Sequence, residues 1–397
     1  MAGFKFRKFK KSLVLIFVFT FFIACDREEA NTVFKESEKT FTWRMVTTWP
    51  KNYPGVGLGA ENLSKLVNKM SAGRLQIKVY GSGELVPALE VFDTVSRGTV
   101  EIGHGASYYW IGKSPSAQFF TALPFGLNAQ EMNAWLHYGG GLELWEEAYD
   151  KFNLIPLAGG NTGVQMAGWF NKEINSLEDI KGTRMRIPGL AGKVWTEAGG
   201  EAVLMPGSEI FTNLQTGVID AAEWIGPYND QTFGLHQAAK YYYYPGWHEP
   251  GPTLEVIINK EAFASLPSDL QEIVRTASRA VNQDMLDEYT ARNNQALETL
   301  VNTHGVILKR LPDDVLKKFK EITSKLLEDL IAEDSLSKKI FESQENFKKN
   351  VSKYHKISEK AVYELRELNY LYFLTNIIPI EVETKYLIKK INAADQV

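Results

Sequence analysis

Short apolar segments alternate with amphipathic ones from Phe41 onward, and this alternation constrains the fold more than any other feature of the chain. In residues 75–79 every second residue is apolar, as a half-buried strand requires, whereas residues 58–70 carry apolar side chains at helical spacing. Repeated strand and helix segments are typical of a sheet whose faces are covered by helices. We therefore predict an α/β protein.

The segments fall into two groups, the second of which begins near Leu154. In the first group we predict strands at residues 42–48, 75–79 and 100–103 and helices at 58–70 and 85–95. In the second group we predict strands at 154–157, 165–170, 184–187, 203–205 and 253–259 and helices at 192–198 and 209–216. A further helix is predicted to begin at Ser268, with Gln271 completing a capping box, and long helices follow to about Leu368.

Two α/β groups joined by long helices suggest a two-lobed clamp that holds a ligand between its lobes. We place the first lobe in residues 41–156 and about 251–290. The second lobe, with helices that brace the lobes or pair two subunits, is placed in residues 157–250 and about 291–368.

The N-terminal segment has the features of an export signal. Basic residues at positions 5–11 precede a run over residues 13–24 that is apolar except for Thr20, which predicts a signal peptide in residues 1–24. Cys25, the only cysteine, follows directly and resembles the lipidated residue of bacterial lipoproteins. The alternatives are an incidental cysteine or a membrane anchor, although the run is shorter than the roughly 20 residues that a span needs. Residues 25–40 are polar and predict a flexible tether, so we expect a periplasmic protein anchored through Cys25.

Composition and missing motifs exclude several function classes. The chain has 44 basic and 48 acidic residues, a balance that argues against a nucleic-acid surface. The usual hydrolase and zinc motifs are absent from the sequence. Residues 107–114 (SYYWIGKS) come closest to a phosphate loop, but serine replaces its first glycine and bulky aromatic residues fill the turn. A small-molecule partner other than a nucleotide fits these observations.

Amide and arginine side chains stand at predicted strand ends. Asn161 and Gln165 follow a predicted strand, and their oxygens can bind a hydroxyl group or a hard cation; ordinary turn formation is the alternative. Arg184 and Arg186 share one face of a short predicted strand, and a guanidinium matches a carboxylate in two parallel hydrogen bonds. For either arginine alone, a surface salt bridge is the alternative.

Carboxylates occur in two aromatic segments. Glu223 and Trp224 lie at the end of a predicted strand just before Gly226, and Glu249 lies in the segment YYYYPGWHEPG. A carboxylate beside main-chain carbonyls suits a hard cation. The aromatic segment could equally wall a pocket or pack a domain junction.

Several motifs in order carry a family resemblance over about residues 41–368. They are similar to the substrate-binding proteins of tripartite ATP-independent periplasmic (TRAP) transporters, and within these to the α-keto-acid-binding subgroup. The stretches are GELVPALEVFDTVSRGT (83–99), PFG (124–126), GGNTGVQMAGWF (159–170), MRIPGL (185–190), GVIDAAEWIGPYND (217–230) and YYYYPGWHEPG (241–251).

The resemblance implies how the ligand would be held. Arg186 matches the arginine that binds the ligand carboxylate, which leaves Arg184 as a surface partner. Asn161 matches a residue that contacts the α-keto or α-hydroxy oxygen. Trp247, together with Tyr108 or Tyr109, would shape the pocket.

The resemblance also implies a metal ion that bridges protein and ligand. Gln165, Glu223 and the main-chain carbonyl of Trp224 match positions around this ion, and Glu249 is a further candidate ligand. Sodium is the expected metal and calcium the alternative. A cation between the carboxylates and an anionic ligand would turn repulsion into attraction.

A solute-binding role follows from the resemblance: capture of a small 2-oxo or 2-hydroxy acid such as pyruvate and delivery to TRAP membrane subunits. A homodimer through the C-terminal helices is also implied, whereas residues 369–397 fall outside the resemblance. A periplasmic ligand sensor shares every site residue and is the alternative. An enzyme using Glu223 and His248 as acid and base is disfavoured, since no nucleophile or oxyanion motif accompanies them.

Overall fold

The computed structural model describes residues 39–366 of the chain. The predicted signal peptide, Cys25, most of the tether and the extension at residues 369–397 lie outside the described residues. Strands β1 to β11 are Phe41–Thr47, Leu75–Tyr80, Ile102–Gly105, Leu154–Asn161, Gly168–Phe170, Arg184–Arg186, Glu201–Val203, Ala221–Ala222, Tyr241–Tyr244, Thr253–Asn259 and Ile307–Arg310.

The helices cover the two sheets that these strands form. Helices α1 to α12 are Val56–Met70, Val91–Ser96, Ala129–Tyr138, Gly141–Tyr149, Gly189–Glu197, Gly207–Gln215, Pro227–Thr232, Leu235–Ala238, Lys260–Ala264, Ser268–Asn302, Asp313–Glu333 and Ser335–His355. Within residues 39–366, no helix has both the length and the apolar character needed to cross a membrane.

The strands form two mixed sheets. The first has the order β2-β1-β3-β10-β4, in which β1 and β3 are parallel and β10 is antiparallel to both of its neighbours. The second has the order β11-β9-β5-β8-β6-β7, in which β6 runs parallel to both β7 and β8. Residues 39–366 therefore contain two separate sheets, one of five strands and one of six.

The chain crosses between the sheets where its unusual polar residues occur. Two crossings carry these polar residues: the one from β4 to β5 contains Gln165, and the one from β9 to β10 contains Trp247, His248 and Glu249. The chain passes between the sheets once more from β10 to β11, through helix α10. The main-chain N–H of Gln165 donates to the carbonyl of Glu249 at 3.1 Å, so the two crossings run side by side. Polar side chains therefore lie at the junction of the two sheets, where apolar packing alone would not place them.

Helix α11 contributes to the cores of both sheets. Its residues Val315, Phe319 and Ile322 pack with the apolar core of the second sheet, whereas Leu327 packs with that of the first. The prediction of long C-terminal helices is therefore confirmed, and one of them ties the two halves together.

Two local predictions were wrong. Helix α10 begins at Ser268 after the N-cap residue Pro267, which has no side-chain acceptor, so no side-chain cap is formed; the Gln271 amide donates to the carbonyl of Leu266 at 2.9 Å. The strand predicted at residues 165–170 is confined to Gly168–Phe170. Its first part is the crossing, in which the Gln165 N–H is used by Glu249 instead of a neighbouring strand.

Candidate functional site

Strand β6 carries two arginines with different surroundings. Arg184 forms a salt bridge with Asp220 at 2.9 Å, and both side chains are partly exposed. Arg186, two residues further on, is only 1% exposed. A fully buried guanidinium requires partners that offset the loss of its hydration, which directs attention to the groups around it.

Arg186 is surrounded by acceptors from both halves of the protein. Its guanidinium donates to the Glu223 side chain, and also to the main-chain carbonyls of Glu223 and Met205, each at 3.3 Å. A further nitrogen donates to the Tyr109 hydroxyl at 3.2 Å, and the guanidinium lies 5.4 Å from the ring centre of Trp224. Burial is the largest single influence on the pKa of Arg186 and lowers it, but Glu223, Tyr109 and Tyr108 together raise it above its ordinary value, so the side chain stays charged.

Three titratable side chains meet beside this arginine. Glu223, His248 and Glu249 each bring a potential ligand atom within 4.8 Å of the others, and all three are buried. Nε2 of His248 lies 3.4 Å from the Glu223 carboxylate. Burial raises the pKa of Glu249 well above its ordinary value, and the charge of Glu223 raises it further, while Arg186 opposes the shift. Two carboxylates at this distance repel each other unless a proton or a cation lies near them.

Two buried side-chain oxygens on the two polar crossings accept no hydrogen bond from residues 39–366. They are Oε1 of Gln165 and Oε2 of Glu249, whereas the Gln165 amide nitrogen donates to Thr162 Oγ1 at 3.2 Å. A buried oxygen without a hydrogen-bond partner lowers the stability of the fold, and each such oxygen in a native protein needs an explanation. Carboxylate and amide oxygens are the ligands that sodium and calcium prefer. The residues present therefore fit a hard cation.

The carbonyl of Trp224 offers a third type of oxygen. Among residues 39–366, none donates a hydrogen bond to this carbonyl. The segment that carries it follows the short strand β8, and the Glu223 N–H donates to the Arg186 carbonyl at 3.1 Å. Strand pairing therefore places Glu223 and Trp224 next to Arg186.

The aromatic residues that were predicted to contact the ligand lie in two different places in the structure. Tyr108 and Tyr109 lie in the short helical turn Ser107–Trp110 after β3, where Tyr109 reaches Arg186 and the Tyr108 hydroxyl lowers the pKa of Glu249. Trp247 instead packs on Phe319 in the core of the second sheet, and the centres of the two rings are 4.4 Å apart. The two tyrosines join the cluster, whereas Trp247 supports the crossing that carries Glu249.

Asn161 ties the crossings together. Its amide donates to the Gly251 carbonyl at 3.1 Å and to Thr253 Oγ1 at 3.3 Å, and its oxygen accepts from the Gly163 N–H at 2.9 Å. The side chain is buried at the end of β4. These bonds hold Asn161 at the sheet junction, close in sequence to Gln165.

The roles of two side chains, His248 and Asp230, were not predicted from the sequence. His248 was considered only as a general acid or base, although its position next to Glu249 in the aromatic segment was a signal that it belongs to the cluster. Asp230 ends the motif of residues 217–230, but its sequence context indicates no role for it; in the structure it accepts hydrogen bonds from the main chain at Ile225 and Gly226, directly after Trp224.

The sequence matches a known family over most of its described length. Residues 45–334 match the family described as bacterial extracellular solute-binding protein, family 7. The chain belongs to this family. Members bind solutes for transport, so the predictions of a TRAP solute-binding protein and of its family are confirmed.

Relatives of this solute-binding family carry informative names. A monocarboxylate 2-oxoacid-binding periplasmic protein of Nostoc sp. is 44% identical over 340 residues, which cover 86% of this chain and 93% of the relative. A TRAP periplasmic solute-binding protein of Pseudoalteromonas atlantica, solved with bound sodium and pyruvate, is 40% identical with a TM-score of 0.80. It covers 82% of this chain and 99% of its own.

A second solved family member differs in its metal. The TRAP periplasmic solute-binding protein of Colwellia psychrerythraea, solved with bound calcium and pyruvate, is also 40% identical with a TM-score of 0.80, over 82% of this chain and 99% of its own. These matches confirm the predicted two-lobed α/β fold. They also show that relatives with this fold hold pyruvate together with either of the two predicted metals.

Proposed function

We propose that this family member binds a small 2-oxo or 2-hydroxy monocarboxylate, such as pyruvate, through a bridging cation. The supporting observation is the meeting of a buried Arg186 with two buried carboxylates and two buried oxygens that accept no hydrogen bond. Relatives crystallised with pyruvate and either sodium or calcium point to the same class of ligand.

The cation would be held by oxygens from both crossings. In this proposal Gln165 Oε1, Glu223, Glu249 and the Trp224 carbonyl are its ligands, and its charge cancels their repulsion of the incoming anion. Sodium is the first candidate, and calcium is favoured at higher carboxylate number. Protein and ligand would share the cation, which makes anion binding depend on it.

The anion would meet the arginine on its other side. Arg186 binds the ligand carboxylate, Asn161 lies near the keto or hydroxy oxygen, and Tyr108 and Tyr109 wall the pocket, while Trp247 acts indirectly by supporting the crossing that carries Glu249. Because these residues come from both sheets, the filled site favours the closed arrangement of the two lobes. The predicted lobe boundaries, 41–156 with about 251–290 and 157–250 with about 291–368, describe the two parts that would move.

Calorimetric titration with pyruvate tests the proposal. The protein is first partly unfolded and refolded to remove any ligand that copurifies, then titrated in sodium buffer and in sodium-free buffer with and without calcium. We expect micromolar or tighter binding that requires a cation and is lost in Arg186→Ala but kept in Arg184→Ala. Failure to bind any 2-oxo or 2-hydroxy acid in any of these buffers would overturn the keto-acid assignment.

We further propose that the ligand leaves unchanged, so the protein is not an enzyme. The opposing candidate is acid–base chemistry by Glu223 and His248, whose side chains lie 3.4 Å apart. Incubation of pyruvate with the protein, followed by proton NMR of the small molecule, separates the two. A new product formed by wild type and not by His248→Ala would favour an enzyme.

Delivery to TRAP membrane subunits is the proposed fate of the ligand, with a periplasmic sensor as the alternative. The two share every site residue, so the site does not separate them. Uptake of labelled pyruvate by cells that carry the membrane subunits, with and without this protein, does. Uptake that is independent of the protein would favour the sensor.

We propose export to the periplasm and lipid attachment at Cys25. This proposal rests on the basic and apolar residues of positions 1–24 and on the position of the cysteine directly after them. Incorporation of labelled palmitate into wild type but not into Cys25→Ser is the expected result. Equal release of both proteins into the soluble periplasmic fraction would contradict the anchor.

A homodimer through the C-terminal helices is the last proposal. Exposed apolar side chains cluster near the end of the described chain, at Tyr354, Ile357, Val362, Tyr363 and Leu365. Grouped exposed apolar residues are typical of an interface. Light scattering should give a dimer for the wild type and a monomer for Ile357→Asp, while Leu85→Asp, at another exposed apolar residue, remains a dimer.

A further inference from the structure

Asp230 is a buried carboxylate next to the segment that carries Trp224. It lies in helix α7 and is 1% exposed. Its Oδ1 accepts from the main-chain N–H groups of Ile225 and Gly226, both at 3.2 Å. These are the first two N–H groups after Trp224, so the carboxylate fixes the chain where it leaves the proposed cation site.

The geometry of the peptide unit turns this contact into a constraint on Trp224. The Ile225 N–H and the Trp224 carbonyl belong to the same planar trans peptide and point in opposite directions. A carboxylate that holds the N–H therefore aims the carbonyl away from Asp230. The neighbouring peptide is also fixed, because the Ile225 carbonyl accepts from the Met166 N–H at 3.0 Å.

Two aromatic donors fix the carboxylate itself. Its Oδ2 accepts from Trp169 Nε1 at 2.9 Å and from the Tyr242 hydroxyl at 2.7 Å. The two rings are stacked 4.0 Å apart and belong to the neighbouring strands β5 and β9. Four donors thus converge on one side chain, and the aromatic pair connects its orientation to the second sheet.

We propose that Asp230 is a positioning residue that aims the Trp224 carbonyl at the bridging cation and thereby sets the affinity of the site for it. The proposal rests on the proposed function, in which this carbonyl is a cation ligand. A carboxylate that accepts from the N–H side of a peptide also increases the negative charge on its carbonyl oxygen, which strengthens a cation contact.

The chain contains a matched control for a variant of Asp230. Glu255 is a buried carboxylate that also accepts from one tryptophan and one tyrosine, Trp110 and Tyr149, but its side chain forms no bond to the Trp224 segment. Asp230→Asn and Glu255→Gln each replace one buried carboxyl group by an amide in an equivalent setting. Comparison of the two separates positioning of the carbonyl from the general effect of disturbing a buried carboxylate.

The measurement is pyruvate binding by the full chain as a function of sodium, and separately of calcium. We expect Asp230→Asn to raise the cation concentration for half-maximal binding by about 10-fold or more, while pyruvate affinity at saturating cation changes far less. Glu255→Gln should leave the cation requirement close to that of wild type. An unchanged cation requirement in Asp230→Asn, or equal shifts in both variants, would overturn the inference.

A spectroscopic measurement on the wild-type site tests the premise of the inference, that the Trp224 carbonyl contacts the cation, and does not require Asp230→Asn to fold. Labelling with ¹³C-carbonyl Trp and ¹⁵N-Ile gives signals only from Trp–Ile pairs, which occur at residues 110–111 and 224–225. Ile111→Val removes the first pair. In the presence of pyruvate, we expect the remaining signal to shift with the same cation dependence as binding.

The outcomes of this measurement are distinct. Cation-dependent pyruvate binding with an unmoved Trp224–Ile225 signal would overturn the inference and remove the Trp224 carbonyl from the proposed cation ligands, but it would leave cation-dependent pyruvate binding itself intact. Absence of cation-dependent binding in the wild type would instead overturn the proposed function, and the inference with it.

Discussion

Arg186 and Glu223 form an ion pair in which the arginine side chain is 1% exposed and the glutamate side chain is fully buried. The two charges are joined both through their side chains and through the Glu223 carbonyl, which accepts from the same guanidinium nitrogen at 3.3 Å. Loss of either partner leaves the other as an uncompensated buried charge, which costs far more than the pair contributes. The residues that bind ligand are therefore also important for stability.

Truncation of this pair should be visible without any ligand. We expect Arg186→Met to lower the free energy of unfolding by roughly 3–5 kcal/mol, because it leaves Glu223 buried without its counter-charge. Arg184→Met, which breaks a partly exposed pair on the same strand, should stay close to wild type. Addition of Glu223→Gln to Arg186→Met should recover part of the loss. Urea unfolding checks all four proteins, and equal effects at the two arginines would contradict the argument.

Cation affinity should depend on pH through Glu249. Burial raises the pKa of this carboxyl, and the charge of Glu223 raises it further, so Glu249 retains its proton at a higher pH than an exposed glutamate does. A cation must displace that proton, and affinity should therefore increase as the pH rises through the raised pKa and fall as the pH is lowered. Calcium titrations from about pH 5 to pH 8 measure the slope. Glu249→Gln should bind calcium more weakly and lose the slope; a slope that persists would assign it to another group.

The contact between the two crossings leaves no space for a side chain at Gly246. A Cβ atom there would lie 1.9 Å from the Gln165 carbonyl, which is main chain and does not rotate away. We expect Gly246→Ala to displace Gln165, weaken pyruvate binding by about 10-fold or more and destabilise the protein by about 1–3 kcal/mol. Gly112→Ala is the control, because nothing lies within 4 Å of its Cβ position. Calorimetry of both variants measures the difference, and a tolerated Gly246→Ala would show that the crossings are not rigid.

Elements with a strong local pattern could be predicted from the sequence. Strand β10 has the predicted bounds. Its short apolar run is typical of a buried strand, and all seven of its residues are buried. The prediction of a capping box at Ser268 failed because the helix has Pro267 at its N-cap, which has no side-chain acceptor, and the Gln271 amide donates to the Leu266 carbonyl. The strand expected at residue 165 failed because the partner of its N–H group lies on a crossing 84 residues away, which no local pattern reveals.

The candidate site shows the same division. The resemblance selected Arg186 and Glu223, and pairing of β6 with β8 brings them together. The supporting groups were not predictable, because their importance depends on what lies beside them after folding. Asp230 ends the motif of residues 217–230, but only its four donors in the folded protein, from Ile225, Gly226, Trp169 and Tyr242, indicate a role for it.

Glu255 should make the stability of the protein depend on pH in a direction opposite to that of a paired carboxylate. Burial raises its pKa to about 7 from 4.5, although Trp110 and Tyr149 donate to it. Between these values the folded protein keeps a proton that the unfolded chain has lost, so stability from this group is greatest below about pH 4.5 and falls as the pH rises to about 7. Glu255→Gln removes the titration, and its free energy of unfolding relative to wild type should increase by roughly 3 kcal/mol across that window. Urea unfolding of both proteins at several pH values measures the difference, in which other titrating groups cancel. A constant difference would mean that Glu255 is ionised in the folded protein throughout, held by its two donors.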